Sequence, residues 1–348
     1  MATLEEQIRD ILKQIEEERR LGDKRAEQFY DFDRKIKTGA SWSKTIGSGG
    51  DYATFADAMA DMPDLIAHET ILTILKGTTL NEVATIQNKH GLTADAKIIV
   101  KSEKYFPTTG AIPTATSGDA THLYDTAQSW TVNEFVDCWV FIVDGTGTNN
   151  GFVKITANTA TSLTVAGWTT TPDATSKYLI IGALIDGATR TRKCMGILQN
   201  TVSVYLGGLG FKDGYFSTQK TSSTWTREIY CGHYGARYGA IVVECIKAYF
   251  RNCGIVNNHI ENSVNYAGVR VEATNYGYIQ DNAFSDNSRQ AILVNQGAFA
   301  YIANNFGDAN GLWGTYAKYS GQARMYGTEC SGSSGNHSNG IGDGSLAY

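Results

Sequence analysis

Ala248-Tyr249-Phe250-Arg251-Asn252, Gly277-Tyr278-Ile279-Gln280-Asp281 and Ala300-Tyr301-Ile302-Ala303-Asn304 are one segment written three times, and Arg324-Met325-Tyr326-Gly327-Thr328 is a looser fourth copy. Tyr249, Tyr278, Tyr301 and Met325 follow one another at intervals of 29, 23 and 24 residues. An apolar residue returns five or six positions after the first three, at Ile255, Phe284 and Phe306. Val204-Tyr205-Leu206, with Phe211 beyond it, stands 44 residues before Tyr249 and leaves room for two further turns. A period in the low twenties built from β-forming residues suits a solenoid, in which each turn lays a few short strands on the turn below. The spacing predicts an all-β chain wound as a parallel β-helix.

Composition agrees. Of 348 residues, 37 are glycine, four are proline and only 19% are charged, so turns are plentiful and a large core is within reach. A net charge of -5 and a pI near 5.7 argue against a nucleic-acid partner, which calls for clustered Lys and Arg. No apolar run approaches the roughly 18 residues of a membrane span, so membrane insertion is not expected. The acidic start, Met1-Ala2-Thr3-Leu4-Glu5-Glu6, lacks the apolar stretch of an export signal. The six cysteines show neither CxxC pairs nor metal spacing and read as reduced structural thiols.

Five segments are expected. Residues 1–37 carry a heptad seam with Leu4, Ile11 and Phe32 at d and Ile8, Ile15, Phe29 and Ile36 at a, interrupted at Glu18, Gly22 and Arg25. Isoleucine at both a and d leans toward three strands, although one amphipathic helix packed on a neighbour has the same pattern. Residues 38–115 hold a glycine loop, a short capping helix near Gly47 to Met59, and the first rungs at 70–75 and 97–100. Residues 116–182 alternate short Thr- and Val-rich strands with turns such as Asp144-Gly145-Thr146-Gly147, and read as an inserted β domain. Coils resume over 183–330, and 331–348 form a Gly- and Ser-rich tail.

The glycine loop and helix, the Ile-Val-Leu rungs and the Asn-bearing turns of 45–110 and 183–330 resemble the pectate-lyase-like right-handed parallel β-helix of bacteriophage tailspikes and appendage proteins. Residues 123–181 look like a small β domain common in phage structural proteins, through Ala127-Gln128-Ser129-Trp130, Ile155-Thr156-Ala157-Asn158-Thr159 and Trp168 with Pro172-Asp173-Ala174-Thr175-Ser176. The resemblance implies a homotrimer made in the host cytoplasm and resident in the virion. Its N-terminus would attach to other virion proteins, and its solenoid would meet a host cell-surface polysaccharide.

Two groups of residues are candidates for a site. Glu244, five residues before Tyr249, and Glu272, six before Tyr278, should stack on adjacent coils about 4.8 Å apart, near the separation of a retaining glycosidase's carboxylates. Arg270 beside them supports the plainer reading of a neutralised solvent face. Trp225, Tyr230, His233, Tyr234 and Arg237 cluster within 215–238, where the coil pattern is least regular. Flat rings with Arg suit sugars, and the same residues suit a contact between chains. Asn252, Asp281 and Asn304 form an equivalent set, expected to bond turn backbone. No cofactor loop and no metal-binding pattern is present, since HExxH, GxSxG and phosphate-loop signatures are missing. The sequence thus favours a receptor-binding virion spike or fibre over two alternatives: a polysaccharide depolymerase using Glu244 and Glu272, and a structural head or baseplate appendage.

Overall fold

The computed structural model describes residues 41–258, 267–274, 276–307, 310–311, 314–326, 339–341 and 346–347, together with Lys13, Glu17 and Arg20, which are helical and exposed. The heptad positions Leu4, Ile8, Ile11, Ile15, Phe29, Phe32 and Ile36 lie outside these residues, as does most of 331–348.

Each repeat of the sequence is one coil of a parallel β-helix. Among the described residues, three parallel sheets of ten, eight and six strands form its faces. Along the ten-stranded face run Trp42–Ile46, Glu69–Ile74, Lys97–Ser102, Ser203–Gly207, Trp225–Ile229, Lys247–Arg251, Tyr276–Gln280, Phe299–Ala303, Gln322–Tyr326 and Leu346–Ala347. Alternation decides which side chains enter the lumen, because successive residues of a strand point to opposite faces. Val100, Leu206, Phe250, Ile279 and Ile302 stand in one inward column and are buried.

Two of the three corners turn on single residues with positive φ. Between the ten- and six-stranded faces these are Tyr230 (54°), Asn252 (52°), Asp281 (57°) and Asn304 (51°), a conformation that Asn and Asp tolerate best. The Asn252 amide donates to backbone as expected, to Gly110 O at 2.8 Å, whereas beyond Asp281 and Asn304 backbone bonding falls to the next residue, which corrects the expectation for those two. The Asn282 amide donates to Phe250 O (3.1 Å) and to Asn305 Oδ1 (3.0 Å), and Asn305 Nδ2 donates to Ile279 O (2.7 Å). Such fully paired buried amides satisfy carbonyls that the corner leaves open.

One end of the stack is closed by the helix Phe55–Asp61. The Thr54 hydroxyl accepts from Asp57 N–H at 3.1 Å, and the Glu82 carboxylate accepts from Phe55 N–H (2.7 Å) and Ala56 N–H (3.1 Å). Phe55 and Ala58 are thereby pressed onto the first rungs.

The coil is interrupted after Lys97–Ser102 by a seven-stranded antiparallel sheet that ends at Lys177–Ile181, directly before the rung Ala183–Asp186. It takes in Tyr105–Phe106, upstream of the expected boundary at 116, because that strand pairs with Lys177–Ile181. One face has its own apolar cluster, including Leu123, Trp130, Val140, Ile155 and Tyr178. The other lies on the six-stranded face, where Leu184, Gly210, Gly232, Gly254 and Ala283 form one column across five coils. The glycines are required: a Cβ on Gly210 would come 3.0 Å from the Phe152 ring. On Gly232 it would come 2.8 Å from Phe141, and on Gly254 2.2 Å from Val143.

Candidate functional site

The outward side of the ten-stranded face carries the residues that first revealed the repeat. Tyr205, Arg227, Tyr249, Tyr278, Tyr301 and Arg324 occupy one column in register. Met325 pairs with Ile302 and packs on the lumen, so the fourth repeat aligns one residue earlier than the spacing suggested. Ring centroids lie 6.0 Å apart for Tyr249 and Tyr278, 6.1 Å for Tyr278 and Tyr301, and 5.3 Å for Tyr301 and Tyr326. Beside this column stand Trp225, Lys247, Tyr276, Phe299 and Gln322, with Trp225 38% and Tyr276 47% exposed. The Arg227 guanidinium sits 5.2 Å from the Tyr249 ring and Arg324 sits 5.1 Å from Tyr326, within cation–π reach. From Ser203–Gly207 to Gln322–Tyr326 the outward positions carry four cations, Arg227, Lys247, Arg251 and Arg324, and no carboxylate. Arg251 pairs at 3.0 Å with Asp281 on the adjoining corner.

The five residues expected as a glycan cluster are dispersed. Trp225 alone lies on this face, edge-on to Tyr205 at 5.8 Å. Tyr230 is buried under the inserted sheet and donates its hydroxyl to Gly110 O at 2.9 Å. Tyr234 packs edge-on to Phe141 (6.1 Å) and Phe152 (6.3 Å) in the same interface. Arg237 stacks on Tyr215 and Tyr238 at another corner, 5.2 and 5.7 Å from their rings. His233 points into the lumen and is wholly buried, which removes it from any surface. Its Nε2 lies 2.9 Å from Glu228 Oε2, and Lys220 Nζ lies 2.8 Å from Glu228 Oε1, all three side chains being inaccessible to solvent. Burial by itself pushes the Glu228 carboxyl up; the neighbouring Lys220 and His233 outweigh it and hold the group at about 2.

Glu244 and Glu272 are out of register. Glu272 pairs with Val243, whereas Glu244 is a corner residue at φ 55°, in the set that includes Gln199, Ser222 and Ala273. One residue of offset changes which way a side chain points. The Glu272 side chain is largely buried and ion-paired with Arg270, while Glu244 is exposed and accepts from Ser222 Oγ at 3.0 Å. The stacked pair expected from their spacing is not formed.

The glycine column, and the place of Arg227 in the tyrosine column, both had a signal in the sequence. Gly210, Gly232 and Gly254 recur every 22 residues, as do Tyr205, Arg227 and Tyr249. No helix among the described residues is long and apolar enough to cross a membrane.

No protein-family model matches the chain, and no curated protein matches it. Among solved structures, the chain is similar to an alginate lyase from Paenibacillus sp. strain FPU-7, with 10% identity and a TM-score of 0.33, covering 88% of this chain and 99% of that one. It is similar to the tailspike protein gp49 of Pseudomonas phage LKA1, with 13% identity and a TM-score of 0.19. There the match covers 74% of this chain and 54%, about half, of that one. It is also similar to the gp54 tailspike of Acinetobacter baumannii bacteriophage AP22, solved with a capsular saccharide, at 9% identity and a TM-score of 0.19, covering 80% and 64%.

Proposed function

We infer that this chain is a spike or fibre component of a bacteriophage particle, and that the outward side of its ten-stranded face binds an acidic polysaccharide of the host surface. The observation that carries the binding reading is the charge and ring pattern of that face. A chain of net charge -5 gathers four cations and eight aromatic side chains there, without one carboxylate among the outward positions from Ser203 to Tyr326. Stacked rings offer flat apolar platforms to sugar faces, and guanidinium groups bind carboxylates or phosphates on the polymer. Assignment to a phage particle rests on the order of segments: an N-terminal heptad seam, a capped β-helix and an inserted β module. The N-terminal seam would hold three chains together and join them to other virion proteins.

The test is retention of the purified chain on immobilised acidic and neutral capsular polysaccharides, with release of reducing ends followed in parallel. Retention on the acidic polymer, lost in Tyr249→Ala/Tyr278→Ala without unfolding, is expected. Equal retention by that variant would remove the face from the reading. Reducing ends released by the wild type and abolished by Glu272→Gln would instead make the protein a depolymerase. A second reading of the face follows from its exposed large side chains, Trp225, Tyr276 and Tyr326: it is the contact between chains of a trimer. In that case the same double variant would lower the mass seen by light scattering and leave glycan retention intact.

A further inference from the structure

One coil has a charged lumen. Lys220 occupies the inward position held by Ile197 on the coil before. Glu228 stands between Leu206 and Phe250, and His233 between Phe211 and Ile255. The three meet in a space closed to water, with Lys220 Nζ 3.6 Å from the centre of the Phe250 ring and His233 5.0 Å from Phe211. Apolar residues fill these positions on adjacent coils, so stacking does not require charge here, and charges removed from water are costly to keep. The pairing is also imperfect. Lys220 Nζ and Glu228 Oε1 approach to 2.8 Å yet lie off the line of a hydrogen bond, and both atoms are otherwise without one.

We propose that Lys220 and Glu228 condense to an amide that cross-links the eight- and ten-stranded faces across the lumen, with His233 assisting at the carboxyl group. The ion pair contains every atom the reaction needs. A proton passes from the ammonium to Glu228 Oε1, against the pairing that keeps this carboxyl ionised, and in that minor neutral form the freed amine attacks Cδ. Negative charge gathers on Oε2, where His233 Nε2–H, 2.9 Å away, donates to it. Oε1 then leaves with a second proton from Nζ as one water, giving a neutral amide whose oxygen still accepts from His233. No oxidant or activated donor is consumed. Fixed neighbours of this kind gain effective concentrations on the order of 10⁵–10⁸ M, and exclusion of bulk water disfavours the return reaction. The product turns the two unbonded atoms of the lumen into a covalent bond and a released water.

Intact-mass measurement of the denatured full-length protein tests this. The expected mass is below that of the sequence by one water. A tryptic digest should yield Asp213–Arg227 joined to Glu228–Arg237 through Lys220, which resists cleavage. Lys220→Met should restore the mass of its own sequence, and His233→Phe should leave a detectable uncondensed fraction. A wild-type protein of full sequence mass, cut by trypsin after Lys220, would overturn the proposal, and so would a missing water mapped to any other peptide. The wild-type peptide map decides the matter even where a variant fails to fold. Complete condensation in His233→Phe would remove the histidine from the chemistry.

Discussion

The six- and ten-stranded faces share a backbone and differ in what their outward columns carry. On the first, Gly210, Gly232 and Gly254 strip away side chains so that Phe141, Phe152 and Val143 of the inserted sheet can approach the backbone. On the second, rings and guanidinium groups fill the equivalent positions, and Trp225, Tyr276 and Tyr326 remain 38 to 47% exposed. A covered face is therefore written in small residues and an open one in large amphipathic residues, at the same period. Function is to be sought on the open face, because the other has already spent its surface on the insert.

The comparison breaks most decisively at the glycine column. Gly254→Leu would drive a side chain into Val143 and Phe141, and Phe141→Ala would empty the same contact; the latter should cost about 3–5 kcal/mol in urea unfolding. An unchanged midpoint for both would mean that the insert is not held by this interface. Replacing 103–182 with a Gly-Ser linker should preserve the β signal in circular dichroism. It should also cause self-association, since Leu184, Tyr230, Val256 and Ala283 lose their cover. A soluble, unassociated variant would show the interface to be dispensable.

On the open face the effect should move from stability to binding. Tyr249→Ala/Tyr278→Ala removes two ring pairs, each worth about 0.5–1.5 kcal/mol to folding, while retention on acidic glycan should fall roughly tenfold. Arg227→Gln/Arg324→Gln should weaken acidic-glycan retention a few-fold and reduce its salt dependence, leaving neutral polymers unaffected. A matching loss on neutral polymers would make the charge incidental. The smallest effect lies at the capped end. Asp51, accepting from the Thr45 backbone N–H, from its hydroxyl and from Lys44, is lowered from 3.8 to about 2. A depressed carboxyl stabilises the fold above 3.8 and ceases to do so as pH falls through about 2. Asp51→Asn should flatten that small acid limb of the stability curve by lowering stability slightly at every pH above 3.8, neutrality included.

Much of this was legible because outward residues of a solenoid repeat with the coil. Tyr249, Tyr278 and Tyr301 gave the period and, unknowingly, the open face. Parity was harder to read. Met325 and Arg324 are adjacent, and only the pairing with Tyr301 tells which of them faces outward. Glu244 and Glu272 failed for the same reason, since the corner takes up one residue that spacing alone does not reveal. His233 sits among aromatics in the sequence and in the lumen in space, because the chain crosses three faces and two corners between Lys220 and Tyr234. The glycine column at 22-residue intervals was present to be read, but glycine is so common in this chain that its regularity was hidden among turns.

The inserted sheet is also a splint. Coils stacked by backbone ladders resist sliding along their strands far better than they resist tilting against one another, as coins in a roll do. By resting on Leu184, Gly210, Gly232, Gly254 and Ala283 at once, the insert ties five coils into a beam that cannot bend without parting an apolar joint. Phe306 of the next coil also packs on the insert, under Lys177, so compliance should concentrate from Thr315 onward. Under a sideways load that later stretch would flex, while Trp225 to Tyr278 kept their spacing like the teeth of a rigid comb.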